Sequence, residues 1–133
     1  DGVHLGQDDL DIKAAREYLG ADKIIGVSAH NVKEALEAEN GGADYLGSGA
    51  AFVTSTKTDA GAIDHKVLSD VAHSVKIPVV AIGGINKDNI SQLEGLGLDG
   101  VAVVSAIFAA DDISSAVIDL KAKAEKVAES SVK

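Results

Sequence analysis

The chain has 133 residues, enough for one domain with a hydrophobic core, and carries a formal net charge of −9. This acidic balance argues against nucleic acid or an anionic membrane as a partner. The absence of cysteine excludes disulfides and cysteine-based zinc sites. Because no apolar run approaches the ~18 residues of a membrane span and no signal peptide opens the sequence, we expect a soluble, cytoplasmic protein.

Short apolar runs predict five β-strands, and a helical pattern follows each of them. The strands are expected at Val3–Leu5, Ile24–Val27, Tyr45–Ser48, Val79–Ile82 and Val101–Val104. The helices are expected at Lys13–Leu19, Val32–Asn40, His65–Val75, Asn86–Leu96 and Ile113–Val127. Alternating βα units predict an α/β fold with a parallel sheet, in a single domain over residues 1–133.

Local signals mark the second helix and a structural repeat. Asn31 is a predicted N-cap with Glu34 at the third helical position, and the glycine pair 41–42 ends the helix. An aspartate follows the helix stop and precedes the strand twice, at Asp44 and at Asp99. The two segments that contain these aspartates occupy equivalent places and indicate that the same βα unit occurs twice.

Two architectures use such βα repeats: an open doubly wound sheet and the eight-stranded (β/α)8 TIM barrel. Five units suit the open sheet in number. Polar or glycine residues at the carboxyl ends of the strands suit the barrel, because its active sites lie on those loops. A barrel typically needs about 250 residues, so roughly three βα units would be lacking here.

The run 78–86, Pro-Val-Val-Ala-Ile-Gly-Gly-Ile-Asn, predicts a strand, a turn with two glycines and a helix N-terminus at Asn86. Such a turn can bind phosphate through backbone N–H groups, and a plain tight βα turn is the alternative. Ser105 and the amide of Ile107 follow the last strand. Since barrels hold phosphate in the loops after their last two strands, these groups are the expected second half of the site.

The one enlarged loop, residues 49–61, carries Thr54, Ser55, Thr56 and Lys57 in succession. Three hydroxyls and an ammonium form a cluster of donors that suits a polyanion. The alternative is a solvated polar loop, although that does not explain Phe52, which we expect to anchor the segment.

Further polar residues follow the first two strands. Asp9 could ligate Mg²⁺ through oxygen, or could serve as N-cap and dipole partner of the next helix. Ser28 could donate to a phosphate oxygen. His30 could act in acid–base chemistry or form a structural hydrogen bond, and we expect no carboxylate nearby to orient it. The histidines of the third helix, at 65 and 73, are expected on the surface.

With these motifs in sequence, the chain resembles the thiamine phosphate synthase family. The matching signatures are GVHLGQDDL at 2–10, IIGVSAH at 24–30, GADYLGSG at 42–49, FVTSTK at 52–57, PVVAIGGI at 78–85 and DGVAVVSAIF at 99–108. Their order and spacing match over essentially the whole chain. The resemblance implies a TIM (β/α)8 barrel, of which this chain would supply about five consecutive units, strands 4–8, without the N-terminal three.

The resemblance also implies an activity and a set of site residues. The family joins hydroxymethylpyrimidine diphosphate to a thiazole phosphate and releases pyrophosphate with the help of Mg²⁺. By position, Asp9 would ligate the metal, and Ser28 and Lys57 would have catalytic roles. The diphosphate would be bound by Ser28, Thr54, Thr56 and Lys57, and the thiazole phosphate by Gly84, Ser105 and Ile107.

Some features depart from the family pattern. The first three units normally supply a Gln and a basic residue near the pyrimidine and an Asn-Asp pair beside the metal. Around Phe52 the family usually has prolines, where this sequence has Ala50, Ala51 and Val53, so we expect a less rigid loop. The related thiazole tautomerases are expected to have a histidine at the position of Ala50, and its absence argues against that activity.

The sequence therefore leaves two hypotheses. In the first, the chain is the C-terminal part of a thiamine phosphate synthase and is inactive alone. In the second, it is a non-catalytic phosphate-binding module, a half-barrel or barrel fragment. Either way the exposed sheet edges need covering, so we expect a homo-oligomer or a complementing N-terminal segment as a partner.

Overall fold

The computed structural model describes residues 1–53 and 61–131. Over these residues one parallel sheet forms, with each strand beside the next in sequence. Its strands are β1 (Gly2–Leu5), β2 (Ile24–Ser28), β3 (Tyr45–Gly49), β4 (Val79–Ile82) and β5 (Gly100–Ala102). A doubly wound sheet reverses its strand order at a switch point, whereas a barrel does not. The doubly wound alternative is therefore wrong, and the sheet is wound as in a TIM barrel.

α-Helices lie between the first four strands and after the last one. They are α1 (Ile12–Leu19), α2 (Val32–Gly41), α3 (His65–Ser74), α4 (Ser105–Phe108) and α5 (Ile113–Glu129). Asn31 caps α2 by accepting the Glu34 N–H at 2.9 Å, and Gly42 ends it in the left-handed conformation, as predicted. No helix in the described ranges is long and apolar enough to cross a lipid bilayer.

The two faces of the sheet have different surroundings, because side chains alternate along each strand. On one face Ile25, Leu46 and Val79 are fully buried and form the core with the helices. The other face, which we call the inner face, carries His4 and Ser28, and glycines occupy many of its other positions. Ile82, on this face, is 41% exposed. The core thus lies on the helix side, and the inner face is open among the described residues.

The predicted helix Asn86–Leu96 is wrong, since only a short 3₁₀ helix forms there, at Ile90–Leu93. The Asn86 side chain instead accepts the N–H groups of Asp88 and Asn89 in a local turn. Such side-chain bonds compete with helix formation, and positive-φ glycines follow at 95 and 97. The helix N-terminus expected at Asn86 is therefore absent.

The last strand and turn also differ from the prediction. Strand β5 ends at Ala102 rather than Val104, and the unpredicted helix α4 starts at Ser105. The run 101–108 is apolar and β-branched at its start, so its periodicity does not separate a strand from a short helix.

The aspartate repeat is confirmed as structural. Asp44 Oδ2 accepts the Ile25 N–H at 2.8 Å, and Asp99 Oδ2 accepts the Val79 N–H at 2.8 Å. Each aspartate thus ties the start of its own strand to the strand before it. The Arg16 guanidinium, 2.7 Å from Asp44, and the Ile25 N–H hold the pKa of the Asp44 carboxyl below its ordinary value.

Candidate functional site

The described site residues lie at the same end of the sheet, because the carboxyl ends of parallel strands meet at one edge. Asp9 follows β1, Ser28 ends β2, Gly84 follows β4, and Ser105 and Ile107 follow β5. The remaining predicted residues, Thr54, Thr56 and Lys57, follow β3 and lie outside the described residues. The fold thus brings the described candidates to one edge.

The turn after β4 requires both of its glycines. Gly83 and Gly84 have φ of 100° and 67°, a conformation that other residues rarely adopt. A Cβ at Gly83 would lie 2.8 Å from the Ala50 Cα, and one at Gly84 would lie 2.7 Å from the Phe52 carbonyl oxygen. The loop after β3 therefore passes directly against this turn, which is a packing reason for the glycines that the sequence did not reveal.

A side chain supports the turn where a helix was expected. Asn89 Nδ2 donates to the Gly84 carbonyl at 2.8 Å, and its Oδ1 accepts the Asn86 N–H at 2.8 Å. These two bonds fix the path of the chain just after the glycines. The turn is therefore shaped by hydrogen bonds of Asn89 and not by a helix dipole.

The groups after β5 differ from the expectation in one respect. The Ile107 N–H donates to the Val104 carbonyl at 3.1 Å, which also accepts the Phe108 N–H at 2.9 Å. The Ile107 amide is thus already engaged within the chain. The first N–H groups of a helix have no acceptor inside it, so those at the start of α4, with the Ser105 hydroxyl, are better disposed toward a ligand.

A hydrogen-bonded group on the inner face was missed from the sequence. His4 Nδ1 lies 2.9 Å from Tyr45 Oη, and His4 Nε2 lies 2.9 Å from Ser28 Oγ. Gln7 Nε2 donates to the Ser28 carbonyl at 2.6 Å. The available signal was His4 itself, a polar residue at the alternate position of an apolar strand. Ser28 is therefore held by two neighbours.

The start of the enlarged loop is anchored by α3. His65 Nε2 donates to the Ala51 carbonyl at 3.1 Å, and its ring packs edge-on against Phe52 with centroids 5.1 Å apart. The Ile63 N–H donates to the Ala50 carbonyl at 2.9 Å. His65 is half-buried, so its predicted surface position is wrong, whereas His73 is exposed as expected. Over the described start of the loop, residues 49–53, Phe52 acts as the predicted anchor.

His30 has a carboxylate partner, Glu34, which was not expected from the sequence. Glu34 Oε2 accepts from the His30 backbone N–H at 2.7 Å and lies 2.9 Å from His30 Nδ1. The prediction was wrong because residues four apart meet at the first turn of a helix. His30 is exposed, and these bonds join it to the first turn of α2, which favours a structural role for His30 over acid–base chemistry.

Asp9 fits one kind of magnesium site. Its Oδ2 accepts the Gly6 N–H at 2.7 Å, and α1 is capped by Asp11 instead, so the alternative of Asp9 as N-cap is wrong. Within residues 1–53 and 61–131, no three His, Asp or Glu side chains gather to hold a metal. Mg²⁺ is commonly held by one or two carboxylates together with substrate phosphates. Asp9 suits such a shared site and not an all-protein cage.

A cleft of about 410 Å³ lies beside this loop, between α1 and α2. Its lining includes the carboxylates of Asp9, Asp11, Glu34 and Glu37. The lining also includes one cation, Lys13, so it is acidic on balance and repels a phosphate ester that brings no metal ion with it. The edge formed by the strand ends remains the better candidate for phosphate.

A parallel sheet whose strands follow one another in sequence order, with helices packed on one face, places the chain among the α/β proteins of the TIM-barrel class. A family model described as thiamine monophosphate synthase matches residues 1–107. The chain belongs to this thiamine monophosphate synthase family.

Curated relatives agree with the family match. The chain is 56% identical over 113 residues to the thiamine-phosphate synthase of Clostridium acetobutylicum, covering 85% of this chain and 54% of that protein. It is 51% identical over 120 residues to that of Clostridium beijerinckii, covering 90% and 57%. The chain therefore spans little more than half the length of these relatives.

A solved structure shows the same fold. Thiamine phosphate pyrophosphorylase from Pyrococcus furiosus superposes with a TM-score of 0.85 at 48% identity, over 96% of this chain and 60% of that one. A structure titled native KDPGal has a TM-score of 0.62 at 18% identity, which shows the fold alone. The five-stranded sheet thus has the shape of the corresponding part of a family member.

Proposed function

We propose that this chain is part of a transferase of thiamine biosynthesis, which couples hydroxymethylpyrimidine diphosphate to thiazole phosphate and yields thiamine phosphate and pyrophosphate. One observation carries the proposal: the family match at residues 1–107 coincides with a sheet whose carboxyl edge gathers the motif residues. Asp9, Ser28, Gly84 and Ser105 come from different βα units and lie at or after the carboxyl ends of neighbouring strands, which supports a shared site.

The reaction is proposed to be dissociative, so the main task of the protein is to stabilise the charge of the leaving pyrophosphate. Ser28, Thr54, Thr56 and Lys57 would bind the diphosphate with hydroxyl and ammonium donors. Mg²⁺, held by Asp9 together with the substrate, would supply further neutralising charge. The thiazole nitrogen then captures the pyrimidine cation, and no general base is required of the chain.

The second substrate would be held by its phosphate at the turn after β4. Gly84 provides close backbone approach, and Ser105 provides a hydroxyl and the first amides of α4. For Ile107 we propose contact only after its amide leaves the Val104 carbonyl, to which it donates at 3.1 Å. The phosphate would thereby hold the thiazole ring over the inner face.

The chain is further proposed to be the C-terminal part of the barrel, corresponding to strands 4–8. Two observations support this: β1 and β5 have no further strand beside them among the described residues, and the inner face is uncovered. A complementing N-terminal segment or a second copy would cover both. The isolated chain would then lack part of the pyrimidine site and be inactive. We further propose that the protein acts in the cytoplasm.

Calorimetric titration tests the binding half of this proposal. We expect thiazole phosphate to bind the isolated chain, and Ser105→Ala to weaken binding by about tenfold, as for loss of a hydrogen bond to a charged group. Ser114→Ala, at an exposed serine of α5, is the matched control and should leave affinity unchanged. Equal affinity of both variants would remove Ser105 from the site.

A non-catalytic phosphate-binding module is the second candidate, favoured by the open inner face and the unpaired edges. It predicts thiazole phosphate binding, a dimer or larger assembly by light scattering, and no thiamine phosphate even when the missing units are supplied. Product formation in the completed barrel would exclude it.

A further inference from the structure

Three side chains form a continuous hydrogen-bonded row across the inner face, from β3 over β1 to β2. Tyr45 Oη lies 2.9 Å from His4 Nδ1, and His4 Nε2 lies 2.9 Å from Ser28 Oγ. The two rings are also in contact, with centroids 5.5 Å apart and planes tilted by 40°. Both nitrogens of His4 are therefore used, one toward each neighbour.

The backbone makes room for this row. A Cβ at Gly26 would lie 2.1 Å from the Tyr45 Cζ, and a Cβ at Gly47 would lie 3.1 Å from the His4 Cε1. Neither glycine has a positive φ, so turn geometry does not account for them. They lie beneath the rings, and the missing side chains allow Tyr45 and His4 to reach across the sheet.

The direction of the hydrogen bonds decides what Ser28 can do. If His4 carries its proton on Nε2, it donates to Ser28 Oγ, and the hydroxyl proton of Ser28 remains available for an anion. If the proton is on Nδ1, Ser28 must donate to Nε2 and can present only lone pairs outward. A hydroxyl that presents only its lone pairs repels a phosphate oxygen. Only the first tautomer therefore lets Ser28 donate a hydrogen bond to an anion.

We propose that Tyr45 is a positioning residue that selects this tautomer. A phenol O–H is a good hydrogen-bond donor, so in this proposal Tyr45 Oη–H donates to Nδ1 at 2.9 Å and leaves the ring proton of His4 on Nε2. The bond made by one ring nitrogen sets the state of the other. Tyr45 thereby orients the hydroxyl proton of Ser28 toward the carboxyl edge without touching substrate. The effect of Tyr45 on catalysis rests on the proposed transferase function, whereas the tautomer of His4 does not depend on that function.

The tautomer is directly measurable by ¹⁵N–¹H correlation of the histidine rings of the labelled 133-residue chain at pH about 8.5, where free histidine is neutral. Two other histidines serve as internal references. His65 Nε2 donates to the Ala51 carbonyl, and His73 Nδ1 donates to the Ser69 carbonyl at 2.7 Å, so they represent the two tautomers. We expect His4 to show the pattern of His65.

Tyr45→Phe keeps the ring and removes the donor, and we expect His4 to become a mixture of both tautomers. Tyr18→Phe is the matched control, since Tyr18 is 87% exposed on α1, and should leave His4 unchanged. A His4 signal of the Nδ1–H type in the wild type, or a pure Nε2–H signal in a folded Tyr45→Phe chain, would overturn the proposal. The wild-type spectrum alone tests the tautomer of His4, even if the variant fails to fold.

A kinetic measurement separates this proposal from that of the transferase. In a barrel completed with the missing units, Tyr45→Phe should lower kcat by about two- to tenfold, the range for one hydrogen bond, with the KM for thiazole phosphate unchanged. Failure of the completed barrel to make product would contradict the transferase and leave the spectroscopic result standing. An unchanged kcat together with a shifted tautomer would refute the effect on Ser28.

Discussion

Gly26→Ala is expected to destabilise the protein because of Tyr45 alone. The added Cβ would lie 2.1 Å from Tyr45 Cζ and 2.4 Å from Oη, so the ring must leave its position and its bond to His4. Inserting a methyl group into a packed site costs about 1–3 kcal/mol, and the lost hydrogen bond about 1 kcal/mol. Replacing a strand glycine by alanine returns about 0.5–1 kcal/mol. The free energy of unfolding should therefore fall by about 1–3 kcal/mol.

A double-mutant cycle measured by urea denaturation isolates the cause. In a Tyr45→Ala background the clash disappears, so Gly26→Ala should be neutral or stabilising by about 0.5–1 kcal/mol. Gly100→Ala is the matched control, because its Cβ would meet Val80 Cγ1 at an ordinary 3.6 Å on the same face. Equal costs of Gly26→Ala in both backgrounds would refute the reasoning.

Other substitutions test the core, the aspartate repeat and the turn after β4. Leu46 is fully buried, so Leu46→Ala should lower the free energy of unfolding by about 2–5 kcal/mol. Leu10 is 56% exposed, and Leu10→Ala should change it by less than about 0.5 kcal/mol. Equal effects of the two substitutions in denaturation curves would contradict the position of the core. Asp44→Asn should cost about 1 kcal/mol at pH 7 through its bond to Arg16. The pKa of Asp44 is lowered in the folded state, so the stability that its carboxylate contributes is fully present above the ordinary carboxyl pKa of about 3.9. This contribution is lost as the pH falls through the folded pKa. A difference in the free energy of unfolding between wild type and Asp44→Asn that grows toward acid pH would contradict this. Asn89→Ala removes two hydrogen bonds of the turn after β4. If this turn holds the phosphate as proposed, the substitution should weaken thiazole phosphate binding several-fold in calorimetry, and unchanged affinity would contradict a role of these bonds in binding.

Local chemistry explains which elements were predictable. The strand starts and the ends of α2 follow from short-range signals, such as the Asn31 cap and Gly42 at φ 100°. The segment after β4 was wrongly predicted because Asn86 and Asn89 use their side chains for a turn, a choice that apolar periodicity does not report.

Candidate site residues could be proposed from the sequence where each has a chemical signature of its own. Ser105 and the glycine pair could be chosen from their place after a strand. The row from Tyr45 to His4 joins residues 41 apart in sequence, and it depends on Gly26 being small. Such a contact is set by strand register, so a single sequence without the sheet does not show it.

The most direct test of the central claim is a chimera in which this chain replaces the matching 113-residue stretch of the Clostridium acetobutylicum thiamine-phosphate synthase. We predict that the chimera forms thiamine phosphate and pyrophosphate with Mg²⁺ and that the isolated chain does not. Lys57→Ala should lower the rate of the chimera at least about a hundredfold, as for loss of a group that stabilises developing charge. Lys121→Ala, at an exposed α5 residue, should leave that rate unchanged. A folded chimera that makes no product while the parent enzyme does would contradict the account.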